Sequence, residues 1–228
     1  MSEANEPRVQ RSFRGHPYWV FDHPDIHFME PEEEESQNRF LHLTKDQSFL
    51  DIGACVGCWS IPASLICDRV VAVEPNPAAL GYLSGMAQLN EIDNIWIIEG
   101  YAWDYNAATE EPYSVITTVD NIVDEQKLSN LGLIKIDVEG AELRVLHGAH
   151  KTLSTIHPRV VVEVHSAFGV TLDSIFHYFS WLDHHWSAMV MSQGKIDRYA
   201  NQGSIYGQKP PVGYHVQFDY VESTCKDY

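Results

Sequence analysis

Phe49-Leu50-Asp51-Ile52-Gly53-Ala54-Cys55-Val56-Gly57 is the segment around which the rest of the chain is arranged. Its pattern predicts a buried strand that ends in a carboxylate, then a turn with two glycines, then a helix that starts near residue 60. Glycine lets a backbone bend sharply and approach a ligand closely, because it has no Cβ. Together these features predict a nucleotide-type pocket at the carboxyl edge of a parallel sheet.

The spacing of the two glycines limits which ligands the turn can be expected to bind. Gly53 and Gly57 are separated by three residues, so the turn is neither the G-x-G-x-x-G of dinucleotide enzymes nor the G-x-x-x-x-G-K of phosphate-binding loops. We therefore expect neither a pyrophosphate nor a triphosphate. An acid at the strand end followed by this spacing instead suits a nucleoside with a cationic amino-acid tail.

Beyond this segment the chain alternates between strand and helix patterns. Apolar runs predict strands at 70–73, 95–98, 133–137 and 160–165, helices after residues 77 and 140 and over 171–182, and closing strands at 186–191 and 212–220. Repeated β-α units require parallel strands joined by right-handed crossovers. The sequence therefore predicts an α/β three-layer sandwich over residues 48–228, with residues 1–47 as a cap on its substrate side.

Composition limits the function classes. The 228 residues suit one domain with a sizeable core. Fifteen Lys and Arg against 32 Asp and Glu give a net charge of −17, which repels nucleic acid and anionic lipid. This acidity suits either a high-salt cytoplasm or simply an acidic soluble protein. No apolar run approaches the roughly 20 residues that span a bilayer, and the N-terminus is polar, so we expect a cytoplasmic protein.

Two small clusters suggest metal or redox chemistry only weakly. Cys55 and Cys58 have the spacing of a redox or zinc half-site, but no second C-x-x-C follows, and we interpret them as small residues that fill a tight turn. His23, Asp25 and His27 alternate as in a strand and have side chains that can ligate a metal. Such a lone cluster is more often incidental.

Several blocks, in this order, carry a family resemblance. They are Leu50-Asp51-Ile52-Gly53-Ala54 with Gly57, Val73-Glu74-Pro75-Asn76-Pro77, Thr117-Thr118-Val119-Asp120, and Ile134-Lys135-Ile136-Asp137-Val138-Glu139-Gly140-Ala141-Glu142. Residues 48–166 thereby resemble the FkbM-type methyltransferases, which use S-adenosylmethionine. The resemblance implies a Rossmann-like class I methyltransferase fold, with a mostly parallel seven-stranded sheet and an antiparallel last strand.

The resemblance also implies a cofactor site at the first three strand ends. Asp51 and the backbone of the following turn would hold the methionine end, and Glu74 would take the ribose hydroxyls. The full predicted set is Asp51, Gly53, Ala54, Cys55, Gly57, Glu74, Pro75, Asn76, Tyr101 and Ala102. Glu74 alone equally suits NAD, and residues 74–77 also have the pattern of a capped helix start.

The acceptor side is predicted at the next two strand ends. A hydroxyl that is methylated must lose its proton to a positioned base, and Asp137 is our first candidate, followed by Glu139 and His165. A buried Lys135 needs a partner, for which we expect Glu163 on the neighbouring strand. A divalent metal such as Mg²⁺ at Asp137 and Glu139 is the alternative.

We therefore expect an S-adenosylmethionine-dependent O-methyltransferase that acts on a sugar, a glycan or a small secondary metabolite; the acceptor class rests on the resemblance alone. The alternatives are an NAD-binding oxidoreductase and a non-catalytic protein that keeps the cofactor fold. The oligomeric state is left open, with a homodimer as one alternative.

Overall fold

The computed structural model of the chain describes residues 7–22, 31–108, 115–183, 185–192, 195–199 and 214–220. The strands are β1 (Arg8–Phe13), β2 (His16–Phe21), β3 (Ser48–Ile52), β4 (Arg69–Glu74), β5 (Ile95–Ala102), β6 (Ala107–Ala108), β7 (Val115–Thr117), β8 (Leu131–Ile136), β9 (Arg159–Val164), β10 (Trp186–Ser192), β11 (Lys195–Tyr199) and β12 (Tyr214–Tyr220). The helices are α1 (Pro31–Phe40), α2 (Ser60–Ser64), α3 (Pro77–Leu89), α4 (Val119–Gln126), α5 (Glu142–His147), α6 (His150–Thr155) and α7 (Leu172–Leu182). The candidate metal ligands His23, Asp25 and His27 lie outside the described residues.

Within the described residues, ten strands form one sheet in the order β11-β10-β12-β9-β8-β3-β4-β5-β7-β6. The central strands β5, β4, β3, β8 and β9 pair in parallel, and β12 lies antiparallel between β9 and β10. The α/β prediction is confirmed, including the antiparallel last strand. The sheet is larger than the predicted seven strands, because β6 and β7 extend one edge and β11 extends the other.

The central strands are buried on both faces of the sheet. Leu50, Ile134 and Val162 belong to one hydrophobic cluster, and their neighbours Phe49 and Leu133 belong to the cluster on the opposite face. Successive strand residues point to opposite faces, so both sets must be apolar when helices cover both sides. Polar residues are thereby left mainly to the strand ends, where a site can form.

The strands β1 and β2 form a separate antiparallel hairpin that packs on the second cluster. Phe13 and Tyr18 are buried there. The hairpin is also fastened to the end of α3: Trp19 N–H donates to Asn90 Oδ1 (2.6 Å), and Asn90 Nδ2 donates to the Trp19 carbonyl (2.8 Å). The described part of the predicted cap therefore shares a hydrophobic core with the segment that follows it.

The helix predicted after residue 140 is divided into α5 and α6. The Asp120 carboxylate accepts the backbone N–H groups of Lys151 (3.0 Å) and Thr152 (2.7 Å), and so caps α6 from a different element. Gly148 at the break lies against Trp103, whose carbonyl oxygen would be 2.0 Å from a Cβ at residue 148. These tertiary contacts break a helix that the local pattern predicts as continuous.

Candidate active site

An open cavity of about 770 Å³ lies at the carboxyl ends of β3, β4, β5 and β8. Parallel α/β sheets bind ligands at this edge. The described residues that line it are Ile52, Gly53, Cys55, Val73, Glu74, Pro75, Asn76, Ala79, Gly100, Tyr101, Ala102, Trp103, Asp137, Val138, Glu139, Gly140, Ala141 and Phe168.

The turn after β3 is held close to the end of β8. Gly53 adopts φ +77°, and a Cβ there would lie 1.7 Å from the carbonyl oxygen of Asp137. Its N–H donates to the Val73 carbonyl at 2.9 Å, which joins the turn to β4 as well. The position therefore needs glycine for two reasons, the left-handed backbone and the close approach of a second strand end.

Glu74 fastens the turn to the start of α3. The Cys55 N–H donates to its Oε2 and the Asn76 N–H to its Oε1, both at 2.9 Å. Asn76 in turn caps α3, since its Oδ1 accepts the Ala78 N–H at 2.9 Å. Residues 74–77 thus form a capped helix start, and Glu74, Pro75 and Asn76 also line the cavity. The structure agrees with both interpretations of this block, as a helix cap and as part of a pocket wall.

Asp51 supports the turn from behind the cavity. Its side chain is fully buried, Oδ2 accepts the Ser60 hydroxyl (2.6 Å), and Oδ1 lies 3.5 Å from Lys135 Nζ. The same ammonium donates to the Gly53 carbonyl (2.8 Å) and lies 3.1 Å from Asp137 Oδ2. Burial raises the pKa of Asp51, and Lys135 and Ser60 oppose that rise. The lysine therefore joins the ends of β3 and β8 through charge.

The predicted partner of Lys135 faces another group. Lys135 is opposite Val161 in the parallel register, so Glu163 lies two residues further along β9. The Glu163 Oε2 is 3.4 Å from His215 Nε2. Burial raises the pKa of Glu163, but the hydrogen bond and charge of His215, with the charges of His165 and Lys135, outweigh it and lower the pKa to about 2. Lys135 thus acts on Glu163 through its charge.

His165 is held by a buried carboxylate. Its Nδ1 lies 2.6 Å from Glu142 Oε1, an oxygen that also accepts the Gly140 N–H at 3.0 Å. Its Nε2 is 3.6 Å from Asp137 Oδ1 and 3.9 Å from Glu163 Oε1. The Glu142 hydrogen bond raises the pKa of His165 against the effect of burial, and the neighbouring carboxylates add to the rise. This contact ties the loop after β8 to the end of β9.

A metal-ligating geometry exists beside the cavity, but not where the sequence predicts it. The possible ligand atoms of Asp137, Glu163 and His165 all lie within 4.8 Å of one another, and such carboxylate and imidazole groups suit a divalent ion. Glu139 is outside this group and exposed, on a turn with φ +48°. Lys135 already places a positive charge next to Asp137.

The structure separates the predicted residues into two sets. The predicted cofactor residues that line the cavity are Gly53, Cys55, Glu74, Pro75, Asn76, Tyr101 and Ala102, and the predicted catalytic residues that line it are Asp137 and Glu139. Those outside the lining are Asp51, Ala54, Gly57 and His165. Two aromatic wall residues, Trp103 and Phe168, are not among the individual residues predicted from the sequence, although the region around Ser166 to Thr171 was expected to cover the acceptor pocket. Their only signal is an aromatic side chain directly after a strand or in a polar turn.

One part of the chain, which includes the β8 side of this site, matches a known family. Residues 106–188 match the model of the family described as the methyltransferase FkbM domain. This segment is therefore similar to the methyltransferase FkbM domain. The match confirms the resemblance, and its segment includes the block from Ile134 to Glu142 that forms one cavity wall. No curated protein sequence matches the chain significantly.

Solved structures share the fold at low sequence identity. The methyltransferase FkbM from Methylobacillus flagellatus KT superposes with a TM-score of 0.59 and 18% identity, over 80% of this chain and 46% of that protein. The chain thus spans less than half of that relative. An rRNA methylase from Streptococcus thermophilus gives 0.53 and 14%, over 79% and 90%. SMU.1697c from Streptococcus mutans, in complex with SAH, gives 0.54 and 13%, over 85% and 99%. The chain therefore has the predicted Rossmann-like class I methyltransferase fold.

Two expectations from composition stay predictions. The net charge predicts no nucleic-acid partner, yet an rRNA methylase has the same fold, so the fold does not support that exclusion. No helix in the described part of the chain is long and apolar enough to cross a membrane.

Proposed function

We propose that the chain is an S-adenosylmethionine-dependent O-methyltransferase that methylates a hydroxyl of a sugar, a glycan or a small secondary metabolite. The observation that carries the proposal is a cavity at the carboxyl ends of the parallel strands, one wall of which lies in the segment similar to the methyltransferase FkbM domain. The SAH complex of a protein with this fold adds support for the cofactor.

The cavity has the features that this cofactor needs. Gly53 lines the cavity, the Glu74 carboxylate can accept ribose hydroxyls beside its two N–H donors, and Tyr101 and Trp103 offer aromatic walls for an adenine. Asp51 would act indirectly, because its carboxylate is buried behind the turn. When bound, the cofactor supplies a methyl group on a positively charged sulfur, with a good leaving group.

The chain's own task is then to position the acceptor and to take its proton. Asp137 lines the cavity and is half-buried, so it is our candidate for the group that accepts the hydroxyl proton. Lys135 and His165 hold the two oxygens of this carboxylate from behind. Because Lys135 already supplies positive charge there, we propose methyl transfer that persists in excess EDTA.

The test is incubation with methyl-labelled S-adenosylmethionine and fractionated sugars, glycans and metabolites, followed by mass analysis. We expect a labelled methyl ether. Asp137→Asn is expected to bind S-adenosylhomocysteine as the wild type does and to lose about 10²-fold or more in transfer rate. Labelled product from neither protein, with the cofactor bound, would favour the non-catalytic alternative. Binding of NADH in place of S-adenosylmethionine would favour the oxidoreductase.

A further inference from the structure

The cavity has two chemically different ends. Glu74 and Tyr101 mark the end at β4 and β5, where we place the cofactor. Glu139 and Phe168 mark the other end, at β8 and β9. Phe168 is 62% exposed although it is aromatic. It packs directly on the turn that carries Glu139, since a Cβ at Gly140 would lie 2.6 Å from the Phe168 Cβ.

The charges that line this cavity have one sign. Among the lining residues that the structure describes, the charged ones are Glu74, Asp137 and Glu139. Glu74 accepts two backbone N–H groups, and Asp137 lies beside Lys135. Within the described part of the chain, the Glu139 carboxylate has no hydrogen bond or ion pair. It is the negative charge of the cavity that the protein leaves uncompensated.

Nearby positive groups are engaged elsewhere. Lys135 contacts Asp51 and Asp137, and the His165 Nδ1 lies 2.6 Å from Glu142. Both stand outside the lining of the cavity. Glu139 also holds a left-handed backbone, at φ +48°, which is uncommon for a non-glycine residue.

We propose that the acceptor is a hydroxyl compound that carries a cationic ammonium group, protonated or quaternary, bound with that group between the Glu139 carboxylate and the Phe168 ring. The description of this compound as an acceptor rests on the proposed methyl transfer. A cation is attracted both by the face of an aromatic ring and by an unpaired carboxylate. The same carboxylates repel phosphorylated or carboxylated acceptors. The expected preference for a cationic over an isosteric neutral compound is about tenfold in affinity.

The test uses two probes that differ only in charge, choline and its neutral carbon analogue 3,3-dimethyl-1-butanol. Each is titrated into the chain saturated with S-adenosylhomocysteine, and the resonances of the Phe168 ring are followed by NMR. We expect choline to shift them with a Kd about tenfold lower than the neutral alcohol. Equal affinities, or no shift with choline, would overturn the proposal.

Variants then locate the preference. Glu139→Gln is expected to remove most of the difference between the probes. Phe168→Leu, followed through the amide resonance of the neighbouring Gly140, is expected to weaken choline binding while keeping an apolar side chain. Glu125→Gln removes an exposed carboxylate on α4 and is the matched control; it should leave both affinities unchanged. A Glu125→Gln effect as large as that of Glu139→Gln would show that only net charge matters, and would also overturn the proposal.

The binding test and the methyl-transfer test fail separately. Choline discrimination without any methyl transfer would defeat the proposed function and leave the ammonium site standing. Methyl transfer to neutral and amine-bearing hydroxyl compounds at equal kcat/KM would support the proposed function and defeat the ammonium site.

Discussion

Replacing Lys135 with methionine removes the positive charge beneath the site at nearly constant side-chain volume. Lys135 is 4% exposed, and it neutralises Asp51, which is fully buried. Removing one partner of a buried ion pair typically costs about 3–5 kcal/mol, because the remaining charge has no compensation. Domains are stable by only about 5–15 kcal/mol, so Lys135→Met should lose a large share of the total. Equilibrium unfolding in urea measures it.

The matched control is a surface pair that looks stronger by distance. Lys151 Nζ lies 2.6 Å from Asp124, closer than Lys135 lies to either of its carboxylates, but both side chains are about 60% exposed. Water screens such pairs almost completely, so Lys151→Met should change stability little. If Lys135→Met lowered the free energy of unfolding as little as Lys151→Met does, the contacts of Lys135 with Asp51 and Asp137 would not stabilise the site.

The pH dependence of the same variant gives a second check. Burial raises the pKa of Asp51 and Lys135 opposes that rise, so removing Lys135 should raise it further. A carboxyl group whose pKa is higher in the folded state stabilises the fold at acid pH and loses that contribution as pH rises through the folded pKa. The loss in the free energy of unfolding of Lys135→Met relative to wild type should therefore be smallest at acid pH and grow as pH rises. Asp51→Asn added to Lys135→Met should recover part of the loss; a strictly additive double variant would contradict the pairing.

Three further predictions concern single contacts of the site. Gly53→Ala should unfold at a clearly lower temperature than Gly15→Ala, because both lie at positive φ but only residue 53 meets backbone atoms; equal Tm values would count against the close approach. Glu74→Ala should weaken S-adenosylhomocysteine binding about tenfold or more by calorimetry, since a charged acceptor of two N–H groups is lost; unchanged affinity would remove Glu74 from the site. Glu142→Gln should lower the pKa of His165 in an NMR titration, because the hydrogen bond with Glu142 is the largest cause of the raised His165 pKa. The protonated imidazole stabilises the fold below its folded pKa, so in this variant that stability should be lost at a lower pH than in the wild type. An unchanged His165 pKa would refute the coupling between Glu142 and His165.

The fold was predictable because each central strand is a short apolar run that can be recognised from its own residues. The run 70–73 has no polar residue and ends at Glu74, which is the pattern of a strand covered on both faces. The division of α5 from α6 was not predictable in this way. It depends on Asp120, a residue of α4 that caps α6 across the fold, and no local pattern contains that contact.

The candidate site was predictable in position but less so in orientation. Glu74 and Asp137 line the cavity as their strand-end positions predict. Asp51 has the same kind of position, yet it faces Ser60 and Lys135 behind the turn. The sequence shows that a carboxylate follows a buried run, but not which neighbouring strand supplies its counter-charge. That depends on the register of β3 against β8.

We propose that the edge of the sheet formed by β3 and β4 binds S-adenosylmethionine. Calorimetric titration of the chain with S-adenosylmethionine, and separately with NADH, tests it most directly. We expect saturable binding of S-adenosylmethionine that Glu74→Ala weakens, and no binding of NADH. Binding of NADH alone, or S-adenosylmethionine binding that Glu74→Ala leaves intact, would contradict it.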